Sequence, residues 1–318
     1  MLSFFDFFLL LFSLSSTLAI IVPLTGVLVR FRANYNPKGL QLDAEGGATP
    51  YTGPVVKTYF GMFQRVYQIE GVNGLYKGVM PTLLSTSVVT LTLLFVMDSR
   101  PTHGTYHAPN AGIFGTLFYS IFMMLIALPT AIITYRAITT PHKLPYFNPT
   151  KSLRALLTAT ERRRPWIIFL TPGLLAAEVS HIALVVLVLT PLRRLLLPAL
   201  PADNSLPEIS TFKIVIYVLV VAAFTVVLTP LEVVATRLAI QRNHSPADYD
   251  NLSQDPDGTD GDDFAGAEED VIGLRNEEDP YLGLVDCIQR VVQEEGWQAL
   301  YRAWWLTFLG TLGSGLSY

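Results

Sequence analysis

Long apolar runs alternate with polar loops along this chain, and three of the runs share one internal pattern. The apolar stretches cover Leu2 to Val29, Val79 to Met97, Gly112 to Tyr135, Trp166 to Leu197, Phe212 to Thr236 and Trp304 to Tyr318. Crossing about 30 Å of hydrocarbon takes roughly 20 helical residues. The first five runs reach or approach that length, and the sixth, with 15 residues, is short. The first, third and fifth each carry a proline with an arginine seven positions on: Pro23 with Arg30, Pro129 with Arg136, and Pro230 with Arg237. Proline inside a helix removes one backbone hydrogen bond and crowds the preceding turn. Three prolines at one relative position therefore predict three helices bent alike.

The pattern stays in phase after each proline. Pro50-Tyr51, Pro145-Tyr146 and Pro280-Tyr281 open short amphipathic stretches that end near Glu70, Glu161 and Glu295. Eight residues after each glutamate, at Gly78, Phe169 and Ala303, the next apolar run begins. Self-similarity at such a period marks a repeat architecture. The fold class read from it is an all-α membrane protein: six transmembrane helices in three pseudo-symmetric repeats, with short surface helices in the long loops. The repeats occupy 1–110, 111–205 and 206–318, the second being degenerate.

Composition agrees with a lipid solvent, since 51% of the 318 residues are hydrophobic and 15% charged, with a mean hydropathy of +0.40. A cleaved leader is not expected, because no basic residue precedes the first run, Asp6 sits in its approach, and the run continues through Pro23. The single cysteine, Cys287, excludes an internal disulfide. If six spans alternate, the loops after spans one, three and five share one side and hold 18 of the 22 Lys and Arg residues. That excess places them on the interior face, with Arg162-Arg163-Arg164 suited to anionic lipid headgroups such as that of cardiolipin.

One loop departs from the repeat. Residues 243–280 hold 13 of the 26 acidic side chains and one arginine. Such a segment buries too little apolar surface to offset its ordering entropy, so it is expected to be a disordered acidic insertion and a possible surface for protein partners. Its best calcium-loop frame, from Asp255, puts Asp260 where a glycine is needed. There is no phosphate-binding glycine loop, and the histidines His103, His107, His142, His181 and His244 are scattered. Catalysis, a metal, a cofactor and nucleic acid are not expected.

The run Pro230-Leu231-Glu232-Val233-Val234-Ala235-Thr236-Arg237, followed by Glu295-Gly296 and Leu300-Tyr301-Arg302, resembles the mitochondrial carrier family. Glu70-Gly71, Leu75-Tyr76-Lys77-Gly78, Tyr51-Thr52-Gly53 and Tyr281-Leu282-Gly283 are similar to the same family's motifs. The resemblance implies a six-helix barrel around a water-filled cavity, in a mitochondrial membrane, inner or outer, that moves solute by alternating access. In the family an acid two residues after each proline and a base five after it pair between repeats to form a gate. Here the acidic positions read Thr25, Ala131 and Glu232, and the basic ones Leu28, Thr134 and Ala235. Arg30, Arg136 and Arg237 remain as gate remnants and are the expected partners of Glu232, or else dipole-matched residues at helix ends. Asp98 is the remnant of the opposite gate.

Solute contacts carry over by distance from the starts of the even helices, which points to Ser85-Thr86, Ala176-Ala177 and Gly310-Thr311. None is basic, so a polyanion held by fixed positive charge is not the expected cargo. Glu178 and His181, three apart on the fourth span, complete the candidate set, because ionisable residues at membrane depth face a cavity or one another. The expected function is transport of a small neutral or weakly ionised solute. The alternative is a carrier-like membrane scaffold, an adaptor for outer-membrane fusion or protein insertion, that has lost its gates.

Overall fold

Apolar helices with no polar face dominate the computed structural model, which describes residues 4–38, 41–42, 48–49, 53–96, 112–145, 148–197, 210–244, 270–277 and 279–316. The proline-bearing helices are α1 (Phe4–Ala33), α4 (Gly112–Thr139) and α9 (Thr211–Ile240), and each ends ten residues beyond its proline. Between them lie α2 (Tyr59–Leu75), α3 (Val79–Val96), α5 (Pro149–Leu156), α6 (Ala159–Arg163), α7 (Leu174–Leu184) and α8 (Thr190–Leu196). The last two are α10 (Leu284–Glu294) and α11 (Trp304–Leu316). A two-residue antiparallel ladder pairs β1 (Gln41–Leu42) with β2 (Ala48–Thr49) in the first long loop.

Among the described residues, four helical rods are long and apolar enough to cross a membrane: Ser15–Ala33, Gly112–Thr139, Leu174–Leu196 and Thr211–Ile240. The 13-residue α11 falls below that length. Much of this apolar surface points outward. On α4, Phe114, Phe118 and Phe122 repeat every fourth residue at 72%, 71% and 51% exposure, a continuous stripe that water would penalise and lipid tails accept.

Two compact units divide the chain. The first comprises Met1–Ser87, Pro129–Ile168 and Ala239–Pro280. There α1 packs on α2: the Tyr59 hydroxyl donates to the Leu24 carbonyl at 2.9 Å and the Tyr76 hydroxyl to that of Ala19 at 3.0 Å. Met62 and Val66 are buried on the inner face of α2. The side chain of Thr58 accepts from the Gly61 amide at the start of α2, and Thr158 and Glu161 form a reciprocal capping box on α6.

The second unit comprises Val88–Leu128, Phe169–Leu238 and Tyr281–Tyr318. Its core gathers Leu189, Leu197, Tyr217 and Val221, with Phe308 and Leu312 packed against them. The fourth apolar run, Trp166 to Leu197, is not one continuous α-helix. It opens with a 3-10 segment, Pro165–Leu170, turns at Gly173 and contains a π-helical turn, Val185–Leu189. Pro191 has no N–H to donate one turn back, and the Thr190 hydroxyl donates to the Val185 carbonyl at 3.0 Å within the widened turn.

The expectation of disorder over the whole of 243–280 is narrowed at both ends. Val271 and Ile272 are buried, and Gly273 exchanges hydrogen bonds with the end of α1, accepting from the Tyr35 amide at 2.7 Å and donating to Asn34 Oδ1 at 3.0 Å. Arg65 donates to the carbonyls of Asp270 and Val271. At the other end, His244 Nε2 lies 2.8 Å from Glu277. The stretch 245–269 lies outside the described residues. Replacing Thr158 with alanine removes one half of the α6 capping box, and the thermal unfolding midpoint of the purified chain should fall by the equivalent of about 1 kcal/mol.

Candidate functional site

Near the end of each proline helix an arginine turns toward the glutamate that follows in the next surface segment. Arg30 Nη2 lies 2.5 Å from Glu70 Oε2, and Arg30 also donates to the carbonyls of Ile138 and Gly74 at 2.9 Å each. Arg136 binds Glu161 through both guanidinium nitrogens, at 2.6 and 2.9 Å, and donates to the Gln241 carbonyl at 2.6 Å. Arg237 binds both oxygens of Glu295 in the same manner. Burying such ions requires a close counter-ion, and all three nodes supply one, although Arg136 Nε is left without a hydrogen bond. The expectation that these arginines serve Glu232 is therefore corrected, while their expected place at helix ends, favourable to the dipole, agrees with the structure. Glu70, Glu161 and Glu295 hold them.

The nodes differ in their second cation. Lys77 donates to Glu70 at 2.6 Å and Arg302 to Glu295 at 2.8 Å. Burial pushes the Lys77 ammonium below its usual range, and Glu70 opposes that shift. In the middle node the backbone and side-chain amides of Asn243 take the second cation's place, each 3.1 Å from Glu161 Oε1. Burial alone would raise the Glu161 carboxyl. Arg136 and the amides of Asn243 and Thr158 outweigh it and hold the group below the ordinary 4.5.

A left-handed residue precedes each even helix: Gly78 at φ 87°, Gly173 at φ 81° and Ala303 at φ 57°. At Gly173 a Cβ would come within 2.2 Å of the Leu284 nitrogen, so only glycine fits this close approach. These residues put the even helices in a common register, which differs from the count made from the glutamates. Gly78 and Ala303 follow their glutamates by eight residues, but Gly173 follows Glu161 by twelve. Seven and eight residues beyond the left-handed position stand Ser85-Thr86, Gly310-Thr311 and, in the second repeat, Ser180-His181, whereas Ala176-Ala177 stand three and four beyond it. Ala177 is fully buried in the first turn of α7, which removes it from any contact with solute.

The same register brings ionisable side chains together inside apolar spans. His181 Nε2 on α7 lies 3.4 Å from Glu232 Oε1 on α9 and is itself without a hydrogen bond. The Thr307 hydroxyl on α11 donates to Glu232 Oε2 at 2.6 Å. Glu178, one turn before His181, has His181 and Glu232 as its electrostatic neighbours. An imidazole and a carboxylate of α7, a carboxylate of α9 and a hydroxyl of α11 thus lie in one neighbourhood.

The family profile described as "Mitochondrial carrier protein" matches residues 22–101 and 213–318. The chain belongs to the mitochondrial carrier family. Its members are transporters, which makes this chain a carrier-type, multi-pass protein of a mitochondrial membrane. The matched stretches contain the first and third Arg–Glu nodes, and the unmatched 102–212 contains the displaced register of Gly173. A search of curated proteins finds no match.

The remaining candidate positions of this carrier separate into those bonded within helices and those outside the described residues. Ser85 accepts from the Thr130 hydroxyl at 3.0 Å, and the hydroxyls of Thr86 and Thr311 donate to carbonyls one turn back. Gly310 is exposed, Thr25 turns back on its own helix, and Asp98 lies outside the described residues. In the first unit a cavity of about 490 Å³ opens between Lys77, Pro81 and Leu84, Ile133 and Ala137, and Lys143 with Leu153. Its lining is mainly apolar.

Two results should follow at the middle node. Replacing Glu161 with glutamine leaves Arg136 buried without its counter-ion, and the purified carrier should lose about 3 kcal/mol or more of stability by thermal or denaturant unfolding. Because the folded Glu161 group titrates below 4.5, its stabilisation is complete above that pH and disappears as acidification passes through the lower folded value. Acid unfolding curves of E161Q should therefore be flatter than those of the wild type in the window below pH 4.5.

Proposed function

We propose that this carrier moves a small neutral or weakly ionised solute by alternating access, with the solute site formed around His181, Glu178 and Glu232. The observation that carries this reading is the convergence of these side chains on spans that are otherwise apolar. Ionisable groups at membrane depth are costly unless they face one another, water or a ligand. Ser85-Thr86, Ser180-His181 and Gly310-Thr311 stand at matching distances along three helices, and none carries the fixed guanidinium or ammonium that a polyanion would need.

The Arg–Glu nodes support a rigid-body mechanism. Each ties a proline helix to the surface segment of its own repeat through charge-assisted bonds, and the single bonds from Arg30 to the Ile138 carbonyl and from Arg136 to the Gln241 carbonyl are the links to the next repeat that such motion would have to break. Glu232 is the one acidic gate position retained. Its bonds to Thr307 and its approach to His181 join the third repeat to the second through side chains that a bound solute would compete for. Exposed Arg162, Arg163 and Arg164, and the apolar cavity with Lys143 at its edge, suit anionic membrane lipid as a structural partner. The scaffold alternative draws on the missing gate pairs alone.

Purified full-length carrier in liposomes should take up at least one solute from a panel of uncharged and singly charged small molecules. Uptake should fall more than tenfold in His181→Ala and Glu178→Ala, with thermal midpoints measured alongside. Absence of uptake across the panel, with folded protein in the vesicles, would overturn the transport reading.

A further inference from the structure

The surface segment of the second repeat exposes cations that its own acids do not match. Between residues 141 and 168 the chain carries Lys143, Lys151, Arg154, Arg162, Arg163 and Arg164, every one exposed, against a single acid, Glu161. That acid is buried and committed to Arg136 and Asn243. Among the described residues, the side chains of Lys143, Arg154, Arg162, Arg163 and Arg164 make no hydrogen bond or ion pair.

The same compact unit supplies the opposite charge. Residues 245–269, which lie outside the described residues, hold nine Asp and Glu and no Lys or Arg. The chain enters them beside the cations. Asn243 is bonded to Glu161, the neighbour of Arg162 in sequence, while the Thr158 hydroxyl donates to the Asn243 carbonyl at 2.7 Å and Arg242 to that of Ala155 at 3.4 Å. Asp248 and Asp250 follow Asn243 by five and seven residues, a length of chain that spans about 12 to 15 Å on average. Charges tethered at that range meet at an effective concentration on the order of millimolar.

We propose that the acidic segment 245–269 binds the basic stretch 143–164 of its own chain. Each exposed ion pair is weak by itself, and several along one tether act together. An acidic segment of another protein has no such tether. Anionic headgroups and the segment then compete for the same arginines, so the segment sets how much of this basic stretch the membrane reaches.

Carbodiimide joins a carboxylate to a lysine amine where the two are in contact, which makes Lys143 and Lys151 reporters. With full-length carrier in detergent at about 0.05 M NaCl, mass spectrometry of the monomer should find amide links from acids of 245–269 to these two lysines. Lys38 and Lys57, exposed on the first long loop, should be linked far less. The yield should fall about fivefold or more at about 1 M NaCl, where the screening length is about 3 Å. The combined variant Arg162→Gln, Arg163→Gln and Arg164→Gln leaves both lysines in place and should lower the yield about threefold. If its thermal midpoint shows that it does not fold, Asp248→Asn with Asp250→Asn removes charge from the other side and should lower the links made by the remaining acids. Links absent at low salt, spread equally over Lys38 and Lys57, or indifferent to these substitutions would overturn the proposal. Loss of co-purified anionic phospholipid in the arginine variant, with the links unchanged, would give these cations to the membrane and overturn it as well.

Discussion

A guanidinium near the end of an apolar helix must find a carboxylate, and the surface segments of this carrier are placed by that requirement. Arg30, Arg136 and Arg237 sit seven residues past their prolines, so the bend and the charge travel together. The glutamate that answers each one lies well along the sequence, beyond a loop of variable length. The loops differ in size and content while the nodes do not, because a mismatched buried ion costs several kcal/mol and a longer loop costs only tenths. Replacement of the second cation by Asn243 in the middle node shows how the degenerate repeat keeps its guanidinium matched with one charge fewer.

The apolar helices were legible from hydropathy to within a few residues at most ends, and four of them are candidate membrane spans among the described residues. The arginine partners were not legible. Their separations of 40, 25 and 58 residues carry no periodic signal, and each arginine at a helix end already had a local explanation in the dipole. The contact register of the second repeat was misread for a related reason. Counting from Glu161 assumes that the path to the helix is constant, whereas the 3-10 turn at Pro165–Leu170 lengthens it. Gly173 was the available signal, a glycine inside the fourth apolar run just before its continuous helix. The proximity of His181 to Glu232 had no counterpart in local spacing.

The two ends of the acidic insertion show where composition misleads. Average charge over 243–280 predicts disorder, yet Val271 and Ile272 are a buried apolar pair, and Arg65 of α2 donates to the Val271 carbonyl. Asn243, at the other end, is committed to Glu161. A charge-rich segment can thus be anchored at both ends by a handful of residues that a composition average hides.

The exchange between Asn34 and Gly273 joins positions 239 apart in sequence. During synthesis the first span therefore leaves the ribosome long before the residues that finish its carboxyl end. Until the last third of the polypeptide arrives, that end of the span must be covered by water, lipid headgroups or a chaperone, and shortened chains ending before residue 270 would be left permanently without that cover.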